Sequence, residues 1–131
     1  MAALNQNAVT LLSITSGIDA KSVAVTTLYT VPAGYTLIPD HVVIRVTAFT
    51  VGAKGVQAVA SFGGNSATYD DYLNSVTYTV AAANVFIRDS VEDSAVVTQA
   101  AGDVFSISIE TGSDATTETW SVSLYGTLIA N

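Results

Sequence analysis

The sequence has no cysteine, two prolines, one histidine and one tryptophan. Without thiols there are no disulfides, no thiolate nucleophile and no cysteine-bound zinc. Only four residues are Lys or Arg, against eleven Asp or Glu, for a net charge of −7. Binding to a phosphate backbone draws on clustered Lys and Arg, so nucleic acid is not an expected partner. No apolar run approaches the ~18 residues of a membrane helix, so no membrane partner is expected either. Met1 to Asn7 has no basic start and leads into no clean apolar block, so no signal peptide is expected. Charged residues make up 11% of the chain while 50% are hydrophobic, which favours a packed core over disorder. A length of 131 residues fits one domain.

What is abundant is β-branched. Val, Ile and Thr number 18, 8 and 17. Such side chains are stiff at χ1 and pack well on a pleated surface. Apart from Ala, the good helix formers are scarce. Alternation recurs along the chain. Val42, Ile44, Val46 and Ala48 share one face of a strand read over His41–Val51, with Val43, Arg45, Thr47 and Phe49 on the other. Tyr35 to Ile38 reads as a separate short strand stopped by Pro39-Asp40. Further strands are read at 22–31, 56–62, 76–80, 85–87, 95–98 and 104–110. From Glu118 to Ile129, Trp120, Val122, Leu124, Gly126 and Leu128 line one side, which predicts a long core strand of ~40 Å at about 3.4 Å per residue. Gly and Pro turn signals separate these runs, as at Pro32-Ala33-Gly34 and Gly52-Ala53-Lys54-Gly55. About eight strands without helix periodicity predict an all-β, single-domain, jelly-roll-like β-sandwich. Residues 1–20 are read as an N-terminal arm or first strand, and 21–131 as the sandwich domain. Val9, Leu11, Leu12 and Ile14 want burial, whereas residues 1–7 are small and polar.

No catalytic signature stands out, so no catalytic, cofactor-binding or metal residues are assigned. His41 follows Asp40, and neighbours on a regular strand point to opposite faces, so adjacency predicts no dyad. No G-x-S-x-G supports a serine nucleophile. The carboxylates Asp70-Asp71 and Asp89, Glu92, Asp93 lack calcium-loop spacing and read as solvated loops. Asp103 after Gly102 reads as a turn residue bonding its own backbone. A glycosidase would need two facing carboxylates, which spacing does not supply. Of the aromatic residues, Tyr69 and Tyr72 are the exposed candidates for a sugar-binding face, and Trp120 is core.

Two stretches look familiar together. The first is Thr26-Thr27-Leu28-Tyr29-Thr30-Val31-Pro32-Ala33-Gly34-Tyr35. The second is Ala101-Gly102-Asp103-Val104-Phe105-Ser106-Ile107, followed by the Trp120–Leu128 strand. Over most of residues 22–129 the layout resembles jelly-roll virion structural proteins of tailed bacteriophages, notably head decoration (cement) proteins and related fibre or knob modules. That resemblance implies a non-enzymatic protein without cofactors. It would decorate and stabilise a capsid as a homo-oligomer, commonly a trimer, on the major capsid protein lattice. It would be assembled in the host cytoplasm and lie on the virion surface. The alternative is a receptor- or carbohydrate-binding fibre or knob module. The low charge agrees with a surface covered by neighbours, since isolated β proteins use Lys and other charges to blunt sheet edges. A secreted or viral β domain that tolerates a weakly charged surface reads equally well from composition alone.

Overall fold

The computed structural model describes residues 8–91 and 97–131. It contains eight strands: β1 Thr10–Asp19, β2 Val25–Thr30, β3 Tyr35–Thr50, β4 Ala58–Gly63, β5 Leu73–Tyr78, β6 Phe86–Asp89, β7 Val104–Thr111 and β8 Thr117–Ala130. They form two four-stranded antiparallel sheets of order β1-β8-β3-β6 and β2-β7-β4-β5. The protein is an all-β sandwich of one domain. The expectations for residues 1–7 and 92–96 lie outside the described residues.

Alternation builds the core. Trp120, Val122, Leu124 and Leu128 of β8 face Phe105, Ile107 and Ile109 of β7 across the sandwich, and all are buried. Tyr78 joins the two layers, with its ring edge-on to Trp120 at 5.7 Å and to Phe62 at 6.3 Å. Edge-to-face pairs of this kind suit the ring quadrupole.

Strand β3 differs from its sequence reading in two places. Pro39-Asp40 does not stop a strand; β3 runs through it. Pro39 lies opposite Gly126 and His41 opposite Tyr125, so Asp40 is an extra residue, a bulge. The missing N–H of Pro39 is harmless there, because β6 pairs only with Val42–Arg45. A second bulge at Thr47 puts Ala48 opposite Thr119 and Phe49 opposite the buried Glu118. Each extra residue reverses the faces that follow. Leu37 and Pro39 point inward, then Val42, Ile44 and Val46, then Phe49, which packs on the core instead of sharing the outer face with Val43 and Arg45.

All four sheet edges are irregular or short. The edge strand β1 carries bulges between Leu11 and Ser13 and between Thr15 and Ile18. β2 is bulged between Thr27 and Tyr29. β5 holds an extra residue opposite Ala60–Phe62, where Ser75 takes a φ of 51°. β6 has 4 residues.

The connections sort to two ends. The β1–β2, β3–β4, β5–β6 and β7–β8 loops gather at one end, where Ser113 N–H donates to Ala20 O and Asp114 N–H to Val56 O. The β2–β3, β4–β5 and β6–β7 connections meet at the other, where Val31 bonds Asp103 and Leu37 pairs with Gln99. Gln99 stands one residue past the strand read at 95–98. Val97 and Thr98 lie in no strand, and the chain makes one isolated bridge there.

Candidate functional site

The bulge brings together two residues that adjacency would separate. Asp40 Oδ2 lies 2.7 Å from His41 Nδ1, and the imidazole stacks on Tyr125 with centroids 4.4 Å apart. Arg88 approaches the same carboxylate oxygen at 3.8 Å. The Tyr72 hydroxyl, from the β4–β5 loop, donates to the Asp40 carbonyl at 2.8 Å. A carboxylate and an imidazole in contact resemble half of a catalytic triad. No serine hydroxyl is bonded to His41 among the described residues, and the pair lies on a sheet face, not in a cleft. The arrangement ties the β4–β5 loop of one sheet to the bulge of the other.

The acidic groups are structural. Asn65 organises the β4–β5 loop: its Oδ1 accepts the N–H groups of Asp70 and Asp71, and its Nδ2 donates to Asp70 Oδ1 and Thr68 Oγ1. The bonds from Asn65 and Thr68 hold the Asp70 carboxyl below its ordinary pKa. Asp71 accepts from Gly64 N–H and from the buried Gln99 amide. Asp103 accepts the Ala100 N–H, which is the turn role expected of it. Asp89 lies within β6 instead of a loop, and it accepts the Tyr78 hydroxyl at 2.9 Å. Glu92 and Asp93 lie outside the described residues. Among the described residues no three His, Asp or Glu side chains group as a metal site.

The aromatic candidates divide. Tyr72, expected to be exposed, is 5% exposed, edge-on to Phe105. Burial pushes its hydroxyl pKa up to about 12. Tyr69 is half-buried with φ 50°. Trp120 is fully buried, as its register predicted. The sequence reading missed Glu118. It shares the inward face with Trp120, is 1% exposed, and accepts the indole N–H at 2.9 Å through Oε2, while Oε1 has no partner. A Glu two residues before a core Trp was the available signal. Also missed was Glu110, whose two oxygens accept from Ser61 and Ser75.

Two surfaces remain. At the β1–β2 end, a pocket of about 240 Å³ opens among Phe49, Val51, Val56, Val80 and Ala115. Asp114 rigidifies its rim by accepting the N–H groups of Lys54 and Val56. Gly52 is required there, since a Cβ would come within 2.0 Å of the Asp114 carbonyl. Both lysines of the chain, Lys21 and Lys54, sit at this end. The second surface is the outer face of the β1-β8-β3-β6 sheet. Tyr125 lies between Leu11 and His41, Ser123 between Ile14 and Val43, and Arg45 pairs with Phe86. The Arg45 guanidinium stands 5.6 Å from the Phe86 ring centroid, a cation–π contact on an otherwise open sheet.

The fold and this surface pattern define a cysteine-free β-sandwich without an organised catalytic or metal centre among its described residues. No protein-family model matches the chain, and no curated protein matches it. Among solved structures, the chain is similar to one from "Acidic stable capsid structure of Helicobacter pylori bacteriophage KHP30". The likeness covers 95% of this chain and 93% of that one, with 15% identity and a TM-score of 0.57. At that identity the likeness is one of fold.

Proposed function

We propose that this chain is a non-enzymatic structural protein of a phage virion, one that decorates and stabilises a capsid as an oligomer. The supporting observation is the end-to-end fold likeness to a chain of the KHP30 capsid structure, which spans nearly all of both proteins. The strand order β1-β8-β3-β6 over β2-β7-β4-β5 is read here as a jelly roll, two Greek keys wound together. A trimer docked on the major capsid protein lattice, on the virion surface and assembled in the host cytoplasm, completes the reading. Residues 1–7 would form an arm that contributes to the contact.

The fibre or knob alternative requires an exposed aromatic platform. Tyr72, one of the two rings read as exposed candidates for such a platform, is buried, which weakens it. The test is quantitative mass spectrometry of purified virions. Hundreds of copies per particle are expected of a decoration protein. Absence from the virion overturns the proposal, and a handful of copies transfers the chain to the fibre class.

A further inference from the structure

The pocket at the β1–β2 end is framed by bonds between three loops. In the β7–β8 loop, Asp114 accepts the N–H groups of Lys54 and Val56 at 2.6 and 2.9 Å, and its own N–H donates to Val56 O at 3.1 Å. In the β3–β4 loop, Gln57 Oε1 accepts the N–H of Val80, from the β5–β6 loop, at 3.0 Å. Thr116 N–H closes the frame on Thr50 O at 2.9 Å. Phe49, Val51, Val56, Val80 and Ala115 supply apolar walls inside that frame. A cavity whose walls are fixed before a ligand arrives loses little ordering entropy on binding.

The side-chain polar groups around those walls are of one kind. Each carboxylate oxygen of Asp114 already takes a backbone N–H. Gln57 Oε1 is turned to the Val80 N–H, which fixes the amide and leaves the Nε2 protons unspent among the described residues. Ser113 is 6% exposed; its Oγ accepts the Ala115 N–H, and its hydroxyl proton has no acceptor among the described residues. Gln57 and Ser113 both line the pocket. Side-chain donors to give, with the side-chain acceptors engaged, suit a ligand that accepts hydrogen bonds and does not donate them. A sugar, whose hydroxyls all donate, is a poor match. Asp114 in the lining, on a chain of net charge −7, disfavours an anion. Size narrows the ligand further. A dry cavity of ~150 Å³ holds benzene, and drug-sized ligands take ~300 Å³ or more. The 240 Å³ here suits one ring with a small substituent.

We infer that this pocket binds a small neutral molecule, apolar in its body and carrying one carbonyl-type acceptor, with Gln57 Nε2 and the Ser113 hydroxyl as the donors to that oxygen. This binding activity goes beyond the virion role and depends on neither that role nor the oligomer.

The test is an NMR titration of the isotope-labelled full chain with three probes of one shape. They are acetophenone; α-methylstyrene, in which a methylene replaces the carbonyl oxygen; and benzoate, in which a carboxylate replaces the acetyl group. Acetophenone should bind with a Kd of about 1 mM or tighter, shifting amides within 49–57, 80–81 and 113–115. α-Methylstyrene should bind about threefold to tenfold more weakly, the scale of one hydrogen bond, and benzoate should not bind. Gln57→Glu keeps an acceptor for the Val80 N–H and removes the donors, so it should shrink the preference for acetophenone. Ala81→Trp and Val51→Trp, on the exposed rim, should each block the pocket. Circular dichroism verifies that the variants are folded, and either rim variant suffices if the other is not. No saturable binding of acetophenone, shifts scattered over the two sheets, or equal affinity for acetophenone and α-methylstyrene overturns the inference. So does tighter binding of benzoate, a preference unchanged in Gln57→Glu, or undiminished binding by a folded rim variant. Burial of these same amides on self-association at higher protein concentration would assign the pocket to a second copy and overturn it as well.

Discussion

Asp40 and His41 are consecutive in β3, yet their side chains touch at 2.7 Å. The contact exists because Asp40 is unopposed in the β8 ladder. The same extra residue switches the buried set from Leu37 and Pro39 to Val42, Ile44 and Val46. Deleting Asp40 would therefore drive one half of β3 outward. The expected outcome is loss of the cooperative thermal transition. His41→Ala should cost only about 1 kcal/mol, the scale of one hydrogen bond and one ring stack. Thermal melts of both variants check the contrast.

Trp120→Ala should lower stability by about 3–5 kcal/mol, the range for a buried aromatic residue. The upper part of that range is expected, because Glu118 would lose the indole N–H bonded to its buried carboxylate. Urea unfolding measures it, and a change under about 1 kcal/mol contradicts the packing described.

Ser13→Ala should raise stability by about 1–2 kcal/mol. It removes a buried hydroxyl that bonds nothing, and such groups carry their full desolvation cost. A destabilised variant would mean that the hydroxyl has a partner after all. Comparing the melting temperatures of the two proteins decides it.

Two buried tyrosines set an alkaline limit. Tyr72 rises from 10.0 to about 12 through burial, and Tyr78 rises further through burial and its bond to Asp89. Folded pKa values above the unfolded value mean full stability below about pH 10. Stability is then lost as pH climbs toward the folded values, because the unfolded chain ionises first. The part of the tyrosinate absorbance that Tyr72→Phe and Tyr78→Phe remove should rise together with the change in circular dichroism above pH 10.0. That part appearing at the ordinary tyrosine pKa without unfolding would contradict the burial.

The β4–β5 loop should depend on Asn65 and not on a metal. Asn65 makes four hydrogen bonds there, two as acceptor and two as donor. Asn65→Ala should cost about 1–3 kcal/mol, whereas EDTA should leave the melting temperature unchanged. A drop in EDTA restored by Ca²⁺ would reverse that expectation.

The fold was legible because strand periodicity is a local property. The strands β2, β4, β7 and β8, the buried Trp120 row and the turns at Gly34 and Gly102 follow from alternation and turn chemistry, whereas β5 begins at Leu73 instead of Val76. The bulges at Leu12, Asp40 and Thr47 were not legible. A bulge is fixed by the partner strand's register, and single-strand alternation carries no record of it. Pro39 read as a stop for that reason. Tyr72 read as exposed because its polar neighbours Asp70 and Asp71 suggested a solvated loop, whereas its ring reaches Phe105 from a loop folded back over the sandwich. Glu118 and Ser13 were missed since burying them contradicts their polarity. The surface around Ile14 is visible only once Leu12 is known to shift the register.

The irregular edges of the two sheets have a consequence for how this acidic chain survives in crowded or salty surroundings. Proteins that guard edge strands with lysine rely on a repulsion that ions screen within about 10 Å at 0.1 M salt. Here the guards are misaligned backbone groups in β1, β2 and β5 and the brevity of β6. Misalignment does not fade with ionic strength. Resistance to fibre formation should accordingly stay constant from dilute buffer to concentrated brine.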